Sequence, residues 1–160
     1  MTVRNKNIID KIGSLIPGYN GYATRSDKRK TDRIFREQHS ILINKSESFV
    51  VEYQKILLSN NSFQLMNEWE AVRKKLNTLT FLLKFSNYGE SSFFSERQIK
   101  EEELDKIMDF DEQIFERVHL IFKTTQTEIE ETMSKTFILN CIKEIETVLL
   151  NRSTFISKFK

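Results

Sequence analysis

Residues 63–86 read FQLMNEWEAVRKKLNTLTFLLKFS, and the apolar positions Phe63, Met66, Trp69, Val72, Leu76, Leu79 and Leu83 recur at steps of three and four. That spacing places them on one stripe of an α-helix, whereas a strand would need alternation at every second residue. The stretch is bounded by turn-forming residues. Ser59-Asn60-Asn61-Ser62 precedes it and Gly89 follows. The same period then extends outward in both directions. From about residue 26 to 59 a seam runs Phe35, His39, Leu42, Phe49, Tyr53, Ile56, widened by Ile34, Ile41 and Leu57, and Thr24 or Ser26 can cap its start. From Glu101 onward an acidic run suits a helix N-terminus, because carboxylates there oppose the positive end of the backbone dipole. Leu104, Ile107, Met108, Phe115, Val118, Ile121 and Phe122 follow it.

No Gly or Pro separates that helix from the last apolar series, Ile129, Met133, Phe137, Ile145, Val148, Phe155, Ile156 and Phe159. A break is expected at Thr124–Thr127, where Thr127-x-x-Glu130 can form a capping box. One continuous helix is the competing reading. Residues 3–15 form a further short helix, ended by Pro17-Gly18-Tyr19-Asn20-Gly21-Tyr22. The chain has only one Pro and four Gly, so helix is interrupted in few places. The expected fold is all-α: a single domain over 1–160, with an arm and Pro/Gly/Tyr turn at 1–23. Residues 24–160 are expected to form an antiparallel up-down-up-down four-helix bundle.

Composition narrows the function classes. Cys141 is the only cysteine, which excludes an intrachain disulfide and fits a reducing compartment, so a cytoplasmic location is expected. No secretory leader is expected from the polar opening, and no run of about 18 apolar residues exists to span a bilayer. The net charge of +2 conceals opposite local excesses. Arg25, Lys28, Arg29, Lys30, Arg33 and Arg36 outweigh Asp27 and Asp32, while residues 96–112 are predominantly acidic.

Chemistry-bearing motifs are sparse. Glu116-x-x-His119 has the spacing of a carboxylate-bridged di-metal helix, but His39 is preceded at the matching position by Arg36, so the second copy is missing. No metal, cofactor or catalytic residue is expected. Tyr19 and Tyr22 in the first loop, with Phe93 and Phe94 in the second, are the expected partner-binding residues at a common end of the bundle. Asp32 and Asp111 each continue an apolar seam, where a charge is costly unless paired. Arg29, Arg33 and Arg36 are the expected partners, making either a charge network or an anion site. In the up-down topology those arginines should meet Asp105, Asp109 or Asp111.

Pro17-Gly18-Tyr19-Asn20-Gly21-Tyr22, followed by Arg29-Lys30-Thr31-Asp32-Arg33-Ile34-Phe35-Arg36, resembles the opening of a group of uncharacterised bacterial helical-bundle proteins. These begin with a Pro-Gly-Tyr-x-Gly-Tyr turn and an Arg-Arg-x-x-Asp-Lys-x-x-Arg helix. Tyr88-Gly89-Glu90-Ser91-Ser92-Phe93-Phe94 and Ile99 through Asp111 resemble that group's second loop and following helix, with Tyr88 and Gly89 reversed and Ser92 in place of a glycine. The resemblance covers about residues 12–122. It implies one intact helical module and brings no activity with it. The functional expectation is therefore a non-enzymatic protein-interaction or adaptor module of a bacterial cytoplasm, with an unidentified protein partner or self-association. The alternative is a peripheral binder of nucleic acid or acidic lipid through the basic segment 25–36.

Overall fold

The computed structural model describes residues 2–22, 25–85 and 100–158, with the backbone only at 25 and 26. Among these residues the structure is all-helical, with no strand. Its elements are α1 (Val3–Gly13), α2 (Arg25–Ser59), α3 (Phe63–Phe85), α4 (Glu101–Thr127) and α5 (Ser134–Ser157). Local chemistry sets the limits of each. Thr2 caps α1 by accepting the Asn5 amide at 3.1 Å, and the Glu103 carboxylate accepts the Lys100 amide at 2.8 Å before α4.

α2 is about 50 Å long and stops in a Schellman motif. Asn61 adopts φ 57°, the Ser62 amide donates to the Leu57 carbonyl at 2.8 Å and the Asn61 amide to Leu58 at 3.1 Å. Asparagine tolerates that left-handed conformation better than most residues.

The break between α4 and α5 lies a few residues later than the sequence suggested, and no Thr127 capping box forms. The Thr127 hydroxyl stays inside the last turn of α4 and donates back to the Lys123 carbonyl at 2.9 Å, the usual competitor of a cap for a helical threonine. Ser134 does the work instead. Its hydroxyl donates to the Ile129 carbonyl at 2.7 Å and folds the turn onto the start of α5.

The contacts give the sense of each pairing. Gln54 meets Glu70, Glu47 meets Arg73 and Asn77, and Arg36 meets the Lys84 carbonyl, so numbers rise along α2 as they fall along α3. α4 and α5 run against each other likewise, through Arg117 with Glu144 and Asp111 with Arg152. α2 and α4 pair in the same sense, His39 against Phe115 and Phe49 against Phe122.

Between them lies the core: Phe35, Ile43 and Val50 of α2, Val72, Leu76 and Leu79 of α3, Ile114, Val118 and Ile121 of α4, and Ile138, Ile142 and Ile145 of α5. The α2 seam is rotated from the expected one. Ile43 and Val50 are buried where Leu42 and Phe49 were expected, and at the end of the helix Leu57, expected only to widen the seam, is buried while Ile56 is exposed. Ser46 hid this stripe from a reading by apolar spacing. It is fully buried because its hydroxyl is satisfied by the Leu42 carbonyl at 3.0 Å.

α1 lies along α4. Thr2 donates to Asp105 at 3.2 Å, Arg4 pairs with Asp109 at 2.7 Å, and Lys11 bridges Glu112 and Glu116 at 3.0 and 2.6 Å. These four acids sit on one helical face at steps of four, three and four.

Candidate functional site: a buried charge network and an exposed basic corner

The turn after α1 is built to bring two tyrosines inward. Gly18 and Gly21 adopt φ of +93° and +78°, which L side chains rarely accept. Thr31 of α2 closes the turn, its hydroxyl donating to the Gly21 carbonyl at 2.7 Å. Tyr19 and Tyr22 are consequently buried, each 1 % exposed. This corrects the expectation that they present their faces to a partner: their hydroxyls need an acceptor, and the acceptor lies inside.

That acceptor is Asp111 of α4, which is fully buried. Both tyrosine hydroxyls donate to its Oδ2, Tyr19 at 2.8 Å and Tyr22 by a short bond. Arg152 of α5, 1 % exposed, donates from Nε to Asp111 Oδ1 at 2.7 Å and from Nη2 to the Tyr22 hydroxyl at 2.9 Å. The same Nη2 forms an ion pair with Asp32 Oδ1 at 3.2 Å. Asp32 Oδ2 accepts from Arg36 Nε at 2.8 Å, and Arg36 Nη1 donates to the Lys84 carbonyl at the end of α3 at 3.1 Å.

Burial pushes the Asp111 carboxyl above the ordinary carboxylate range, while the Arg152 guanidinium and the tyrosine hydroxyls pull it down. Desolvation and the neighbouring Asp111 hold both tyrosines well above the usual phenol value, so they remain donors.

Of the expected charge residues, Asp32, Arg36 and Asp111 therefore meet in one network, but Arg36 reaches Asp32 rather than Asp105, Asp109 or Asp111. Arg29 and Arg33 are exposed and take no part in it. The expected contacts from Arg29, Arg33 or Arg36 to Asp105, Asp109 or Asp111 do not form. α1 occupies Asp105 and Asp109, and Arg152 occupies Asp111. Arg152 was legible by the logic that found the aspartates. It sits at the seam spacing Ile145, Leu149, Arg152, Ile156, a charge continuing a buried stripe. Phe93 and Phe94 lie outside the described residues.

One turn along, α2 and α4 repeat a motif. His39 and His119 each donate Nδ1–H to the carbonyl four residues earlier, of Phe35 at 2.7 Å and Phe115 at 2.8 Å. Each imidazole lies 4.1 Å from that phenylalanine ring, and the two imidazoles are 6.1 Å apart. Burial lowers His39 to about 3, so it is neutral. Glu116 faces Lys11. Among the described residues no group of three or more His, Cys, Asp or Glu is placed to hold a metal ion.

At the surface beside the network, Arg29, Lys30 and Arg33 face solvent, whereas Lys28 is buried and desolvation lowers its pKa. Next to them α3 ends in two exposed aromatic residues. Phe81 and Phe85 are 54 and 63 % exposed, and their rings lie nearly parallel, 5.8 Å apart with 19° between planes. Lys84 Nζ stands 5.3 Å over the Phe85 ring.

At the turn between α4 and α5 a groove of 470 Å³ is lined by Thr124, Glu128, Glu131, Met133, Ser134 and Phe137. No described helix is long and apolar enough to cross a membrane. Set against known protein families, curated proteins and solved structures, the chain matches none of them. The resemblance to bacterial helical proteins thus rests on its motif residues alone.

Proposed function

We propose that the chain is a non-enzymatic binding module of a bacterial cytoplasm. In this reading α2–α5 form an up-down-up-down four-helix bundle, antiparallel within the α2–α3 and α4–α5 pairs and parallel where α2 meets α4, with α1 as an N-terminal arm, and the module docks on a polyanionic ligand through the basic segment 25–36. One observation carries the ligand class. The acids expected to neutralise this segment, Asp105, Asp109 and Asp111, are engaged elsewhere, by α1 and by Arg152, and Arg29, Lys30 and Arg33 are left in solvent. A cluster of unneutralised cations on one face is the footprint of a polyanion site. The absence of catalysis in this reading is supported by the engagement of Asp32, Asp111, Arg152, Tyr19 and Tyr22 with one another in the interior.

The test is retention on immobilised heparin, compared with the triple variant Arg29→Gln, Lys30→Gln, Arg33→Gln. The native chain is expected to elute at clearly higher salt. Equal elution of the two at low salt would refute the ligand class.

A protein-interaction or adaptor role, or self-association, is the second reading, favoured by the α4–α5 groove with its exposed Met133 and Phe137. A photo-crosslinking residue at Phe137 that captures one defined protein in the native cell, with none captured from position 29, would place this reading first.

A further inference from the structure

We infer that the polyanion is the surface of an acidic lipid bilayer, met by the corner where the start of α2 and the end of α3 come together. This rests on the polyanion reading and names its ligand. The corner is defined by the Arg36 guanidinium on the Lys84 carbonyl. Arg29 and Arg33 lie seven and three residues before Arg36, hence on the same helical face, and continue it past the end of α3. Phe81 and Phe85 stand one turn apart on the last turns of α3, exposed at the same end of the α2–α3 pair as these cations, with Lys84 Nζ over the Phe85 ring.

A phosphate site needs the cations but gains nothing from two exposed phenylalanines. A bilayer interface uses both, apolar rings entering the boundary of headgroups and acyl chains while Lys and Arg meet the anionic headgroups. The arrangement of the rings separates lipid from nucleic acid. Base stacking needs an open aromatic face. Phe81 and Phe85 lie nearly parallel with centroids 5.8 Å apart, and Lys84 Nζ stands 5.3 Å over the Phe85 ring, so an incoming base would have to displace an ammonium that already occupies one face of that ring.

The test is co-sedimentation of the full chain with vesicles of phosphatidylcholine and phosphatidylglycerol in equal parts, and with phosphatidylcholine alone. Binding is expected only to the acidic vesicles and is expected to weaken with salt. Each cation near such a surface multiplies partitioning by about fivefold, so the Arg29, Lys30, Arg33 triple glutamine variant should bind roughly a hundredfold less. The double variant Phe81→Ser, Phe85→Ser keeps every charge and touches only exposed side chains. It should bind at least about tenfold less to the same vesicles.

Acidic-vesicle binding that ignores the serine double variant would overturn the bilayer inference. So would binding to a single-stranded oligonucleotide without vesicle binding, which leaves the polyanion reading standing. Failure on vesicles, oligonucleotide and heparin alike would remove both.

Discussion

Truncating Asp111 to alanine tests whether the interior charges act as one unit. The variant leaves the Arg152 guanidinium, 1 % exposed, with Asp32 at 3.2 Å but without its 2.7 Å acceptor. It also strips the Tyr19 hydroxyl of the carboxylate it donates to. Breaking one side of a buried pair costs about 3–5 kcal/mol, because a desolvated charge is left uncompensated. For a domain whose total stability is of order 5–15 kcal/mol, that is a large share. Removing both charges is expected to be milder. Asp111→Ala with Arg152→Met leaves Asp32 paired with Arg36 at 2.8 Å and removes the uncompensated charge, so, although both tyrosine hydroxyls still lose their acceptor, it should lose less than the sum of the two single variants. The assay is urea denaturation of the wild type, both single variants and the double, with the midpoint read at constant slope. A coupling of about 2 kcal/mol or more is expected between positions 111 and 152. Asp111 combined with Arg29→Ala or Arg33→Ala should be additive within about 0.5 kcal/mol. A coupling below about 0.5 kcal/mol between 111 and 152, or a larger one to Arg29 or Arg33, would refute the network as described.

Two further outcomes follow from other parts of the molecule. His39 is fully buried with its pKa lowered from 6.5 to about 3, so the folded state binds a proton less readily than the unfolded one; the stability this represents is present above pH 6.5 and lost as pH falls towards 3. Urea midpoints at stepped pH should show a fall approaching about 1.4 kcal/mol per pH unit below 6.5. That component should vanish in His39→Gln, and an identical pH slope in both proteins would be contrary to it. Gly18→Ala places a Cβ at φ +93° and 2.8 Å from Ile34 Cδ1. It should lose about 1–2 kcal/mol, while Gly13→Ala, with ordinary φ, should lose no more than about 0.5 kcal/mol; equal effects at the two positions would contradict the turn geometry.

The helix limits other than the α4–α5 break were legible where their signals are local. Asn61 at the end of α2, Glu103 at the start of α4 and the Pro-Gly turn after α1 each act within a few residues of themselves. The face each helix buries was less so. In α2, apolar residues surround more than half the cylinder, and the member of the buried stripe that apolar spacing misses is Ser46, a polar side chain whose hydroxyl donates to the carbonyl four residues back. The network's aspartates announced themselves as charges in a seam. Arg152 carried the same signal, a charge in the α5 seam, but its pairing with them was not legible, because spacing along one helix cannot say which distant helix supplies a donor. Nor could it foretell that Thr2, Arg4 and Lys11 would take the acidic face of α4 and so leave the basic segment of α2 outside.

Tyr22 and Arg152 are 130 positions apart in the chain, and this has a bearing on how the protein is made. Synthesis proceeds from the N-terminus, so Asp32 and Asp111 both emerge from the ribosome before Arg152 does. Until it arrives, packing α2 against α4 would enclose two carboxylates with one arginine, Arg36, between them. The α2–α3 hairpin can form early, since its bonds are within its own span. The docking of α4 must wait for α5, which makes the emergence of α5 the committing step. A chain stalled short of residue 152 is expected to expose the apolar faces of α2 and α4 together and to be a substrate for chaperones or proteases.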